Sequence, residues 1–214
     1  MALTVISGMT SVWMALSRFG NSGLMLPAAG IVVGWLYLGQ SHRDAIRCFA
    51  WLTLAVSLVA MSKIAFFGWG IGIRSLNFTG ISGHAMLACA VLPIVAYVFL
   101  PVRNPIWRWI GCIVGLLAGT AVGVSRVMME AHSPAESIAG CVLGALIALL
   151  VIRLSRQSTT SLSPKWIAVP ILALILLLTY GKPWDVEDIV IKVSLVISGH
   201  EQPFSRKTWL VSGR

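Results

Sequence analysis

Long apolar runs separated by short polar breaks dominate this chain. Gly23 to Leu38, Ala45 to Phe67, His84 to Leu100, Ile106 to Val124, Pro134 to Ile152 and Trp166 to Tyr180 each read as a membrane-crossing helix. The break Gln40 to Asp44 is too short for anything but an antiparallel pair, and Pro101 to Pro105 and the Ser/Thr-rich Arg153 to Lys165 join two further pairs. Several runs fall short of the ~20 residues that cross a full hydrocarbon core, so their ends must lean on interfacial Trp, Tyr and Lys. Pro27 is placed to start or kink the first span. Ahead of it, Val5, Met9, Val12 and Leu16 recur at helical spacing, which predicts an amphipathic helix at the membrane surface. No basic stretch precedes the apolar part, which argues against a cleaved signal peptide. In the tail the period changes to two. Ile189, Ile191, Val193, Leu195 and Ile197 alternate with Val190, Lys192, Ser194 and Val196, a strand pattern. With Gly199 to Pro203 as a turn and Lys207 to Ser212 as a return strand, this predicts a β-hairpin. The expected fold is an all-α integral membrane protein: an N-terminal interfacial helix over residues 1–19, a six-transmembrane-helix bundle over 20–181, and an extramembrane tail over 182–214 with a short C-terminal β-hairpin.

Composition agrees with that class. Hydrophobic residues make up 57% and charged residues 11% of the chain, whereas soluble domains carry about 25% charged residues. A net charge of +9 would suggest nucleic acid in a soluble protein. Here the basic residues sit in short loops and the tail, so anionic membrane lipids or a phosphorylated substrate are the expected partners, with no nucleic acid. Arg43, Arg47, Arg103, Arg108, Arg153, Arg156 and Lys165 flank the tight links, which by the positive-inside rule face the cytoplasm. Cys48, Cys89, Cys112 and Cys141 lie in apolar runs without metal-ligand spacing and read as small packing residues.

Two polar islands interrupt the middle of the chain, Gly80-Ile81-Ser82-Gly83-His84 and Ser125-Arg126 followed by His132 and Glu136. Two apolar runs separate them, so both return to one membrane face, the outer one by the charge rule. Ser82 and Gly83 open a helix whose free N–H groups suit an anion; a capping serine with a flexible glycine is the simpler account of that pair alone, and His84 at the same helix end turns it toward chemistry. Ser133 as N-cap, Pro134 at the first helical position and Glu136 form a capping box, which accounts for Glu136 structurally. It leaves Arg126 and His132 unexplained. An arginine at the end of an apolar span marks a functional site by default, and Glu136 is spaced to hold one nitrogen of the His132 ring.

These residues resemble the motifs of the type 2 phosphatidic acid phosphatase (PAP2) superfamily. Ser125, Arg126 and His132 match its Ser-Arg, five residues, His motif, with Glu136 where the family has aspartate. Ser82, Gly83 and His84 match its Pro-Ser-Gly-His motif, with Ile81 in place of proline. The family's first motif, Lys, six residues, Arg-Pro, is stretched here to Lys63 and Arg74 followed by Ser75. The resemblance implies that His132 attacks phosphorus and forms a phosphohistidine. Glu136 orients its ring, and His84 protonates the leaving oxygen and then activates water. Arg126, Arg74, Lys63, Ser82, Gly83 and Ser125 bind the phosphate, without metal or cofactor.

Other readings fit parts of the pattern. Gly80 to Gly83 also fits the Gly-x-Ser-Gly of rhomboid-like intramembrane serine proteases. A non-catalytic protein that binds or transports a lipid phosphate accounts for the basic residues, and a phosphotransferase would use the same phosphohistidine with a lipid or sugar as acceptor. Phosphatidic acid, phosphatidylglycerol phosphate, undecaprenyl pyrophosphate and lipid A all qualify as substrates.

Overall fold

Five of the six expected spans are helices in the computed structural model, which describes residues 2–39, 41–100, 105–155 and 186–211. In chain order they are preceded by α1 (Ala2–Phe19) and comprise α2 (Ser22–Leu38), α3 (His42–Trp69), α4 (Gly83–Phe99), α5 (Pro105–Met128) and α6 (Pro134–Leu154). The sixth expected span, Trp166 to Tyr180, and most of the link before it lie outside the described residues. Ser11–Leu38, His42–Trp69, Ile106–Met128 and Pro134–Leu154 are long and apolar enough to cross a membrane, and Gly83–Phe99 is a shorter apolar helix. Their outward faces are apolar, as at Ile113 (58% exposed) and Leu117 (64%) on α5, a patch that water would not tolerate. The chain is a multi-pass membrane protein.

α4 is the axis of the bundle, with Ala85, Met86, Ala88, Cys89, Ala90, Val91 and Ile94 all at most 1% exposed. Glycines on both neighbours let it be enclosed. Gly111, Gly115, Gly119 and Gly123 recur every fourth residue along α5, and Gly140 and Gly144 do so on α6. A Cβ at Gly119 would lie 2.7 Å from the Cys89 backbone, and one at Gly140 would lie 2.5 Å from the Ser82 carbonyl. Backbone therefore packs on backbone, the small-xxx-small contact by which membrane helices associate without a hydrophobic driving force. α2 and α3 close the remaining side through Val32, Cys48, Leu52 and Ala55.

Local chemistry fixes the ends. The Asn21 side chain accepts from the Gly23 amide at 2.7 Å and starts α2. Pro27 lies inside that helix. Gly70, at φ +68°, ends α3. The next loop folds back on itself, with Ile73 and Phe78 paired as an antiparallel bridge around a 3₁₀ turn at Arg74–Leu76. α6 opens with the expected capping box: the Ser133 hydroxyl accepts from the Glu136 amide, and the Glu136 carboxylate accepts from the Ser133 amide.

The tail corrects the expected β-hairpin. Residues 186–198 form a helix, α7 (Val186–Ser198), and residues 206–211 a short helix, α8 (Arg206–Val211). Almost every position from Ile189 to Ile197 is apolar, so alternation there could not separate a period of two from one of 3.6. Burial decides it: Val186, Val190, Ile191, Ser194, Leu195 and Ser198 turn inward, one helical stripe, with Ser194 and Ser198 against Gly68 of α3.

Candidate active site

The two islands meet at the end of the bundle where α3, α5 and the loops before α4 and α6 converge. At their centre is the Glu136 carboxylate, 0% exposed. Oε1 accepts from the Thr79 amide and hydroxyl, both at 2.6 Å, and from Arg206 Nη2 at 2.8 Å. Oε2 accepts from the Ser133 amide at 3.1 Å and from Arg206 Nη2 at 2.7 Å, and lies 2.7 Å from His132 Nδ1. Opposite an ionised carboxylate, Nδ1 carries the proton and Nε2 keeps its lone pair. The capping role and the histidine-holding role thus fall to one side chain.

The turn between α5 and α6 sets the spacing of Arg126 and His132. Glu130 adopts φ +55°, and the amides of Ala131 and His132 both return to the Arg126 carbonyl, at 3.0 and 3.2 Å. Folding the chain back over the end of α5 brings the backbone of His132 onto the turn that carries Arg126. Arg126 Nη1 donates to Ser17 Oγ at 2.8 Å. Among the described residues its buried Nε has no hydrogen-bond partner, and neither has the buried Ser82 hydroxyl.

The first island stands across from the second, because the Ser82 amide donates to the Glu136 carbonyl at 3.2 Å. His84 comes next, in the first turn of α4. Together with Arg126, Lys63 and Gly83 it lines a cavity of about 340 Å³, whose other walls include Leu26, Val56, Val59, Met86, Leu87 and Val190. His84 lies within electrostatic range of Arg126, His132 and Lys63. Lys63 Nζ is 3.1 Å from Glu187 Oε2 at the start of α7, and Glu187 also acts on Arg126. A polar, cationic end thus adjoins an apolar trough.

Three of the expected phosphate ligands, Ser82, Arg74 and Ser125, stand outside the cavity wall, the last two with other partners. The guanidinium of Arg74 lies over the Trp209 ring, 5.4 Å from its centroid, because the bridged loop turns it toward the tail. Ser125 is fully buried and its hydroxyl donates back to the Val122 carbonyl at 2.6 Å. Neither lines the cavity, and His132 and Glu136 are not among its lining residues either. Conversely Thr79, Arg206 and Glu187 take places that the sequence did not single out. Among the described residues no group of three His, Cys, Asp or Glu side chains is arranged to hold a metal ion.

Comparison with known proteins bears on this arrangement. The family model of the PAP2 superfamily matches residues 68–160. Over 203 residues, 91% of this chain and 95% of the other, the sequence is 32% identical to a protein of Klebsiella pneumoniae named "Uncharacterized 22.5 kDa protein in cps region". Over 163 residues, 70% of this chain and 72% of the other, it is 23% identical to an undecaprenyl-diphosphatase of Sulfolobus acidocaldarius. No solved structure matches it.

Proposed function

The chain belongs to the PAP2 superfamily, and from that premise we propose that it is a membrane lipid-phosphate phosphatase that hydrolyses a phosphomonoester or diphosphate through a phosphohistidine. The observation that carries this reading is the 2.7 Å contact between His132 Nδ1 and a fully buried Glu136, with His132 in electrostatic range of His84, which lines a cavity together with Arg126 and Lys63.

His132 Nε2 attacks phosphorus in line with the scissile P–O bond. Its Nδ1 proton stays on the ring, and Glu136 stabilises the positive charge that develops there. His84 gives a proton to the departing oxygen. It then takes one from the water that attacks the phosphohistidine, which releases inorganic phosphate and restores both rings. Arg126, Lys63 and the Gly83 end of α4 balance the charge on the equatorial oxygens. Ser82, Ser125 and Arg74 support the phosphate pocket from outside the cavity wall. Charge neutralisation by these cations removes the need for a metal, so activity should survive EDTA and fall with vanadate.

The apolar walls of the cavity suit an acyl or isoprenoid chain attached to the phosphate. The likeness to an undecaprenyl-diphosphatase favours a polyprenyl diphosphate over phosphatidic acid, phosphatidylglycerol phosphate or lipid A. With the tight links on the cytoplasmic side, the protein sits in a bacterial inner membrane with its site facing outward. The test is phosphate release by the purified protein across this lipid panel, with His132→Ala as blank. Release from at least one lipid by the parent alone supports the reading, whereas binding without release would leave a non-catalytic lipid-phosphate protein. Phosphate that appears on an added lipid or sugar acceptor would indicate transfer in place of hydrolysis.

A further inference from the structure

We propose that the C-terminal segment completes the active centre, with Arg206 as a positioning residue that holds the Glu136 carboxylate and, through it, the His132 ring. The proposal rests on the phosphatase reading above. A single nitrogen, Arg206 Nη2, lies 2.8 and 2.7 Å from the two Glu136 oxygens and 3.1 Å from Thr79 Oγ1. These are the distances of charge-assisted hydrogen bonds, made to a carboxylate with no access to water. The partners are 70 residues apart in sequence, so the contact exists only because the tail is brought back over the site.

Several independent contacts bring it there. The His200 ring meets the Gly68 carbonyl at 2.7 Å through Nδ1. The Phe204 amide donates to the Phe67 carbonyl at 3.0 Å, and the Phe204 ring packs on Gly70, where a Cβ would come within 2.9 Å of it. Trp209 is 5% exposed. It stands edge-on to Phe66 at 5.4 Å and lies beneath Arg74. Arg74 therefore helps to seat the segment that delivers Arg206.

The chemistry needs such a group. A buried carboxylate facing only an imidazole has two oxygens to orient and one ring nitrogen to orient them. The Thr79 and Ser133 donors fix its plane, and Arg206 supplies the countercharge that lets it stay ionised at the rim of a membrane. With Glu136 ionised, Nδ1 is held as the protonated nitrogen and Nε2 is aimed at phosphorus. Arg206 touches neither substrate nor the reacting atoms, so its loss should lower turnover and leave substrate binding alone.

The experiment compares full-length parent, Arg206→Ala and Arg206→Lys in detergent, using whichever lipid phosphate the parent hydrolyses, with thermal melts alongside. We expect kcat to fall about 10- to 100-fold in Arg206→Ala, the effect of one charge-assisted hydrogen bond, with KM within about threefold. Arg206→Lys should recover part of it, and guanidinium ion at millimolar concentration should raise kcat of Arg206→Ala but not of the parent. A merely structural arginine would show neither recovery. If Arg206→Ala does not fold, Arg206→Lys decides: an unchanged melt with lowered kcat supports the proposal, and kcat equal to the parent overturns it. Arg206→Ala at parental kcat overturns the role of the tail while the phosphatase reading stands. A parent without phosphate release, or one matched by His132→Ala, overturns both.

Discussion

Replacing Glu136 by glutamine removes one charge and almost no volume, and the hydrogen bonds around the carboxylate dictate the outcome. The amide keeps one acceptor oxygen and puts an NH₂ where the other oxygen was. At the Oε1 position that NH₂ would oppose the Thr79 amide at 2.6 Å; at Oε2 it would oppose the Ser133 amide at 3.1 Å. The shorter bonds belong to Thr79, so the amide oxygen stays there and keeps Arg206 at the 2.8 Å contact, while the NH₂ faces His132 and opposes the Ser133 amide and the 2.7 Å contact of Arg206. One backbone donor is then stranded, at a cost of about 1–3 kcal/mol in stability. The effect on catalysis is larger. Nδ1 must now accept, which moves the ring proton to Nε2, the nitrogen proposed above as the attacking atom. The corresponding carboxylate-to-amide change in a serine-protease triad lowers kcat by about 10⁴ through the wrong tautomer. We expect about 10³ to 10⁴ here, or roughly 4–5.5 kcal/mol in the barrier. The assay is phosphate release at saturating substrate, with a circular-dichroism melt to read the stability cost. A glutamine variant within about tenfold of parental kcat and with an unchanged melt would refute the tautomer argument.

The other expectations concern the remaining parts of the site and its support. His84→Ala should lower kcat by about 10²- to 10⁴-fold on a lipid phosphate. The loss should shrink on an aryl phosphate whose leaving oxygen needs no proton, and an equal loss on both would remove His84 from the acid role. Glu187→Gln frees Lys63 from its 3.1 Å partner, so inhibition by inorganic phosphate should strengthen severalfold, which product-inhibition kinetics will measure. Gly119→Leu forces a side chain into the Cys89 backbone and should abolish a cooperative melt in detergent. Leu117→Ala on the lipid-facing side of the same helix should leave the melt within a few degrees of the parent.

Legibility in the sequence depends on range. The five described spans, the capping box at Ser133 and the pairing of Glu136 with His132 are local, set by residues three or four apart, and can be read directly. The fourfold glycine repeat of α5 is equally local; its regular spacing is the available signal for α4 as the central helix. The tail misleads because Ile189 to Ile197 is apolar at nearly every position, and only its packing on Gly68 selects a helical face. Arg206 carries no local pattern at all. Its neighbours Phe204 and Trp209, aromatic residues on either side of a basic pair, are the hint that the segment is docked. Arg74 takes its expected role from order along the chain alone, and a bridge between Ile73 and Phe78 turns it away.

α4 has 17 residues and α3 has 28, about 25 and 42 Å of helix, and Lys63 faces the cavity more than a turn before α3 ends. The cavity therefore lies more than a turn below the end of α3. On the phosphatase reading proposed above, a lipid substrate has to bring its charged head down past that end, a descent that sheds water. Vesicles built from shorter or longer lipids would change the depth of that descent, so turnover should depend on bilayer thickness even where the chemistry of the headgroup is held constant.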